Sequence, residues 1–303
     1  MQNDSNYFLY GLSWSIPFSC PELLPETKPT DVLVELGKVD EKPFIWDVHG
    51  ACYKAAPRRC FLSVPGIAKY LVLEGGRIII EPEKESDIDA IKLFLYKTVA
   101  GALLIQRGII PFSGSAVERD GKAILLLGSC AAGKSIVAAG LIQRGFTLIS
   151  DHICAVHFDK KPIVRGGYPF LMLWEKAMEE LGHDPSNHQK VRQGMRQYRL
   201  PVSRESFRKE VEVEAIYVLR HQRSEKWETS RISGYESFNT LHNVFHHSPL
   251  LNGMKKKQEG FKLISNILKS MSINQIKRYG DIHKLPEFID NLVIHLDKSG
   301  EAL

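Results

Sequence analysis

The chain has 303 residues, 44% of them hydrophobic and 25% charged, with 40 lysines and arginines against 35 aspartates and glutamates. That apolar fraction sets aside disordered, collagen-like and coiled-coil classes, and the length fits about two domains. A net charge of +5, spread over dispersed basic residues, suits an anionic ligand rather than a nucleic-acid groove. In chain order, the first 86 residues read as short strands broken by turns: Phe8–Ile16, Thr30–Leu36, Lys42–Val48, Phe61–Val64, Ala68–Leu73 and Arg77–Ile80. Pro21, Pro25 and Pro29 mark a loop, and Gly75-Gly76 a hairpin. The acidic stretch Glu81 to Asp87 is the expected boundary between a β-rich N-terminal module (1–86) and a second domain (87–303).

Beyond that boundary, Ile88, Ile91, Leu95, Val99, Ala102 and Leu103 recur at helical spacing, with Gly108 placed to cap the helix. Strands at Gly114–Val117, Ala123–Leu127 and Thr147–Ser150 alternate with a helix over Lys134–Arg144, the pattern of an α/β unit. Pro169–Leu181 reads as a further helix with Trp174 in its core, and Val211–Leu219 as a strand. Phe261–Met271 and Pro286–Leu296 read as helices, and Ile276–Tyr279 as a strand. The fold expected is therefore α/β with a smaller β-rich N-terminal domain.

Five cysteines at irregular spacings, with no CxxC pair, argue against a disulfide framework or a zinc ribbon. The N-terminal stretch lacks the basic segment of a signal peptide. Apolar runs such as Ala123 to Leu127 fall far short of the ~20 residues of a bilayer span. The expected setting is the cytoplasm, with neither membrane nor nucleic acid as partner.

One segment carries specific chemistry. Gly128-Ser129-Cys130-Ala131-Ala132-Gly133-Lys134-Ser135 satisfies G-x-x-x-x-G-K-S, the phosphate loop (Walker A), between an apolar strand and an Ala/Val-rich helix beginning with Ile136. Two glycines permit a tight turn whose amides, with the helix N-terminus, cradle an anion. Lys134 is placed to reach the β- and γ-phosphates and Ser135 to ligate Mg²⁺, so ATP and Mg²⁺ are the expected ligands, held by residues 128–136. Asp151 ends the next strand, sixteen residues after Ser135. A carboxylate at the end of a neighbouring parallel strand would lie beside the phosphate crevice, to hold Mg²⁺ or accept a hydroxyl proton. The thiol of Cys130, inside the anion nest, is either an oxidation-sensitive group or an inert small side chain.

Ser113 to Val117, the phosphate loop and Arg144 to Asp151 together resemble the catalytic domain of the HPr kinase/phosphorylase family. The opening YGLSWSIPFSCPELLP, the stretch Gly166 to Gly182 and the blocks from Gln197 to Arg220 are similar to HPr-kinase-like proteins that phosphorylate lasso-peptide precursors. The resemblance implies a P-loop kinase that transfers the γ-phosphate of ATP to a serine hydroxyl, the C-terminal serine of a ribosomal precursor peptide. It also allows a homo-oligomer. Where the family has a histidine before the loop this chain has Ser113, and where it has two consecutive aspartates this chain has Asp151-His152. Ser113 is then a candidate to orient Asp151, and His152 a candidate base, although strand alternation sends adjacent side chains to opposite faces. Arg199, in the Gly/Gln-rich stretch 190–200, occupies the place of the family's closing loop and is the candidate for stabilising transferred charge. Catalytic candidates are thus Asp151, Lys134, Ser113, His152 and Arg199, with Ser135 and Asp151 as metal ligands. His246-His247 and Lys255 to Lys257 read as exposed loop, and His152 and His157 are spaced for no helical metal pair. A second reading is a nucleotide-binding regulatory module without transfer activity.

Overall fold

The computed structural model describes residues 5–204, 207–222, 227–279 and 281–300. Nine strands come first: β1 (Ser5–Leu9), β2 (Leu12–Ile16), β3 (Leu24–Pro25), β4 (Val32–Leu36), β5 (Val48–His49), β6 (Tyr53–Ala56), β7 (Arg59–Val64), β8 (Ala68–Leu73) and β9 (Arg77–Pro82). They form one sheet in the order β3-β1-β2-β4-β9-β8-β7-β6-β5. The expected strand Phe8–Ile16 is a hairpin instead. Tyr10 and Gly11 at its tip both have positive φ (54° and 78°), the backbone that a two-residue turn between right-twisted strands requires. Of the expected strand Lys42–Val48, only Val48 enters the sheet.

A helical segment follows, α1 (Ile88–Phe94) and α2 (Ala100–Gln106), joined through a π-turn over Leu95–Val99. Next come β10 (Pro111–Arg119), β11 (Lys122–Leu127), α3 (Lys134–Ile142), β12 (Thr147–Ser150), β13 (Ile153–Phe158), β14 (Pro162–Arg165), β15 (Phe170–Trp174), α4 (Glu175–Glu180) and β16 (Gln197–Pro201). The chain closes with β17 (Glu210–Gln222), β18 (Glu228–Ile232), α5 (Gly234–Asn243), α6 (Ser248–Gly253), α7 (Lys257–Ser270), β19 (Ile273–Tyr279) and α8 (Leu285–Gly300). The second sheet is mixed: β11–β17 and β17–β19 are parallel, whereas β10 is antiparallel to β11, β12 and β13.

Side-chain alternation on β11 sorts the interior into two layers. Ala123, Leu125 and Leu127 point into a core that runs without a break through the N-terminal sheet, α1, α2 and α7. Ile124 and Leu126 point the other way, into a core shared with α3, α8 and the β15–β16 hairpin. The two sheets therefore occupy separate stretches of chain but share one apolar interior.

The helix expected over Pro169–Leu181 is a strand followed by one short helix. Phe170 to Leu173 are buried in β15, which pairs with β16, while Trp174 is 57% exposed rather than core. A short apolar run such as FLML fits either period, and pairing with residues some thirty positions away decides it. Among the described residues, no helix is long and apolar enough to cross a membrane.

Candidate active site

Three strands deliver the site to one sheet edge. The expected adjacency of β11 and β12 is corrected: β10 lies between them, antiparallel to both, so they run the same way without touching. Gly114 sits opposite Leu127, and Ala116 opposite Ser150. The C-terminal ends of β11 and β12 thus flank the first half of β10.

The loop leaving β11 begins with the Gly128 amide donating to the Ser113 carbonyl at 3.2 Å. A side chain at Gly128 would meet the Leu219 carbonyl oxygen at 2.9 Å, so glycine is needed where the loop passes β17. Gly133 (φ 85°) is the N-cap of α3, and Ala131 (φ 63°) is left-handed despite its Cβ, the sort of strain found at ligand clamps. Ser129, Cys130 and Ala131 are exposed at the tip, whereas Ala132 is buried. Lys134 is nearly buried and its ammonium donates to the Ser129 carbonyl at 2.7 Å, arching back over the loop. Burial pulls its pKa down, against the opposing pull of Asp151. Ile136 turns its side chain into the core beside Leu171 and Leu173.

Asp151, at the end of β12, is fully buried. Its Oδ1 accepts from the Ser115 hydroxyl at 2.6 Å and the Ser135 hydroxyl at 2.8 Å, and its Oδ2 accepts from the Met172 amide at 3.3 Å. A carboxylate held by this many donors is fixed in position. Ser115, not Ser113, makes the orienting bond. The two serines share a face of β10, and Ser113 acts instead through its backbone, which receives Gly128 and donates to the Val244 carbonyl at 2.7 Å.

His152 adopts a left-handed backbone (φ 65°), which places its Nε2 3.4 Å from Asp151 Oδ2. The backbone twist overrides the strand alternation that would send the ring to the opposite face. Burial, together with the charges of Lys97 and Lys134, pushes its pKa down to about 4 despite Asp151, so the ring is neutral at pH 7. His246 also belongs here, contrary to its reading as exposed loop, although its neighbour His247 is exposed. The His246 ring rests on Gly101 of α2, where a Cβ would lie 2.7 Å from its Cδ2. Burial and the nearby His152, Lys97 and Lys134 drive its pKa well down.

Lys97 and Met172 are residues that sequence reasoning misses. Lys97 projects from the π-turn to within 3.9 Å of Met172 Sδ, in electrostatic reach of Asp151, Cys130 and Lys134. Conversely, Arg199 is not on a closing loop. It is a buried residue of β16 bound to Asp89 (3.1 Å) and Gln189 (3.5 Å), with its guanidinium 5.5 Å from the centre of the Phe170 ring. It lines a cavity of about 230 Å³ with Phe170, Pro201 and Glu22.

Among the described residues, no group of three or more His, Cys, Asp or Glu side chains could hold a metal alone. Ser135 and Asp151 form a two-oxygen set 2.8 Å apart. Mg²⁺ commonly uses such a partial set, completing its shell with water and substrate phosphates.

No family model matches the chain, and no curated protein matches it significantly. Among solved structures, the Hpr(Ser) kinase/phosphatase from Coxiella burnetii overlaps it at 14% identity and a TM-score of 0.35, covering 63% of this chain and 98% of that chain. The residue roles below rest on the geometry above rather than on this overlap.

Proposed function

We propose that the protein is an ATP-dependent, Mg²⁺-requiring kinase whose acceptor is the hydroxyl of a peptide serine, the C-terminal serine of a ribosomal precursor peptide. The observation that carries this reading is the junction of the phosphate-loop Ser135 with a buried aspartate, Asp151, 2.8 Å away. Residues 128–135 hold the triphosphate, with Lys134 released from the Ser129 carbonyl to its phosphates. Mg²⁺, held by Ser135 and Asp151, would neutralise charge between the β- and γ-phosphates. Asp151 takes the proton of the attacking serine hydroxyl. A new bond forms from the serine oxygen to phosphorus as the bond to ADP breaks. His152, with its Nε2 3.4 Å from Asp151, packs beside the carboxylate rather than acting as the first base. Ser115 fixes it from the other side.

One observation favours a second reading, a nucleotide-binding regulatory module. Asp151 has no exposed surface and both oxygens are engaged, so an acceptor reaches it only if Ser135 turns away. Incubating the protein with Mg·ATP and candidate acceptor peptides, then weighing the peptides by mass spectrometry, separates the two. A gain of one phosphate on a serine supports the kinase. ATP binding without transfer to any serine-ending peptide supports the module.

A further inference from the structure

We propose that Lys97 is a second cation of the phosphate loop, facing the terminal phosphoryl group of a bound nucleoside triphosphate and neutralising its charge. The inference rests on the triphosphate reading above and adds a residue from outside the loop motif.

Lys97 sits at the centre of the π-turn between α1 and α2. Such turns insert an extra residue into a helix, re-aim the side chains around it and are frequent at functional sites. This one is clamped. Leu95, Tyr96 and Val99 are buried, the Tyr96 carbonyl accepts from the Tyr10 hydroxyl at 3.0 Å, and the Tyr96 hydroxyl donates to Glu22 at 2.8 Å.

Two lysines of the segment then differ in what they meet. Lys92 has a carboxylate, Glu22, at 3.3 Å. Among the described residues Lys97 has no ion-pair partner, and its ammonium contacts only the Met172 thioether at 3.9 Å, a weak acceptor. The same Met172 gives its amide to Asp151, which places Lys97 beside the proposed reaction site. A shielded ammonium without a counter-charge carries a desolvation cost that an arriving anion offsets. Burial lowers the pKa of Lys97, as expected of such a group.

Of the carboxylates, Asp151 is the one whose field reaches Lys97, and it is already engaged by Ser115, Ser135 and the Met172 amide. Phosphoryl transfer requires positive charge against the moving group. Arg199 is committed to Asp89, so Lys97 is the cation available for that position.

The test is a titration of full-length wild type, Lys97→Met and Lys97→Arg with ATP and with ADP in Mg²⁺ buffer, each protein also being melted without nucleotide. Lys97→Met should lose ATP affinity by about tenfold or more, the scale of one charged contact, while ADP affinity stays within about twofold. Lys97→Arg should keep the wild-type ratio. Lys97→Met should melt at or above the wild-type temperature, because it removes an unpaired shielded charge. An unchanged ATP-to-ADP ratio in Lys97→Met, or equal weakening of both nucleotides, overturns the role of Lys97 and leaves the triphosphate reading standing. Melting far below wild type also overturns it, by assigning the ammonium a structural role. A wild-type protein that binds neither nucleotide overturns the triphosphate reading and this inference together.

Discussion

The two walls of the phosphate crevice are built in opposite ways. On the Asp151 wall both carboxylate oxygens are engaged, by Ser115, Ser135 and the Met172 amide. On the facing wall Lys97 meets only a thioether, and the Nε2 of His246 is buried without a hydrogen-bond partner. Buried polar groups are normally paired, so an unpaired set beside a carboxylate with both oxygens paired calls for an explanation. The satisfied wall holds its groups in place before any ligand arrives, and the unsatisfied wall is completed by the ligand's own charge.

The largest effect should come from the residue that joins the walls. Lys134 reaches back to the Ser129 carbonyl and shares the field of Asp151. Lys134→Met should weaken ATP binding by about 10²-fold and abolish detectable transfer, measured by nucleotide titration and peptide mass spectrometry. ATP affinity within a few-fold of wild type would break the assignment of this loop to phosphate.

Asp151→Asn tests the satisfied wall itself. The amide keeps the shape and one acceptor oxygen but cannot take a proton. Transfer should fall about 10²-fold or more, with ATP binding altered by less than about fivefold. Turnover equal to wild type would remove Asp151 as the base and leave the proton of the attacking hydroxyl to another acceptor.

Ser115→Ala and Ser113→Ala form a sharper, smaller pair. Ser115 gives Asp151 a buried bond to a charged group, so its loss should destabilise the protein by about 1–2 kcal/mol in urea titrations and slow transfer. Ser113 contributes its backbone, which alanine retains, so Ser113→Ala should leave both measurements near wild type. The reverse ranking would return the orienting role to Ser113.

That pair also shows how far the sequence can be read. The phosphate loop is legible because its signature is local: a glycine at each end, the second at positive φ, and a lysine beginning a helix. Asp151 is within reach of counting, since a helix and a return strand fill the interval from Ser135. Counting back from Gly128 lands on Ser113, two residues from the serine that touches Asp151, because alternation gives both the same face. Arg199 reads as loop because its strand exists only through pairing with Phe170 to Trp174, itself an ambiguous apolar run. Lys97 is beyond sequence reading. Its place depends on a π-turn and on Met172, 75 residues away.

The smallest expected effect concerns acid, and it tests whether the unsatisfied wall is costly to keep. His246 is neutral in the fold, with a pKa held well below 6.5 first by burial and then by repulsion between a proton on it and the neighbouring His247, His152, Lys97 and Lys134. The unfolded chain binds a proton on this ring near pH 6.5, whereas the folded chain does not. Stability contributed by His246 is therefore present above pH 6.5 and is lost as pH falls toward 5. The loss should grow from pH 7.5 to pH 5.5, as the unfolded ring takes up its proton and the folded ring does not. Urea midpoints of wild type and His246→Gln at those two pH values measure it, because glutamine carries no proton in this range. The variant should show a smaller pH dependence. His152 and the other shifted histidines titrate in both proteins and cancel in the difference. An identical pH dependence in the two proteins would mean that the His246 ring takes up its proton in the folded state. The facing wall would then tolerate positive charge without a ligand, and the contrast with the Asp151 wall would lose its energetic basis.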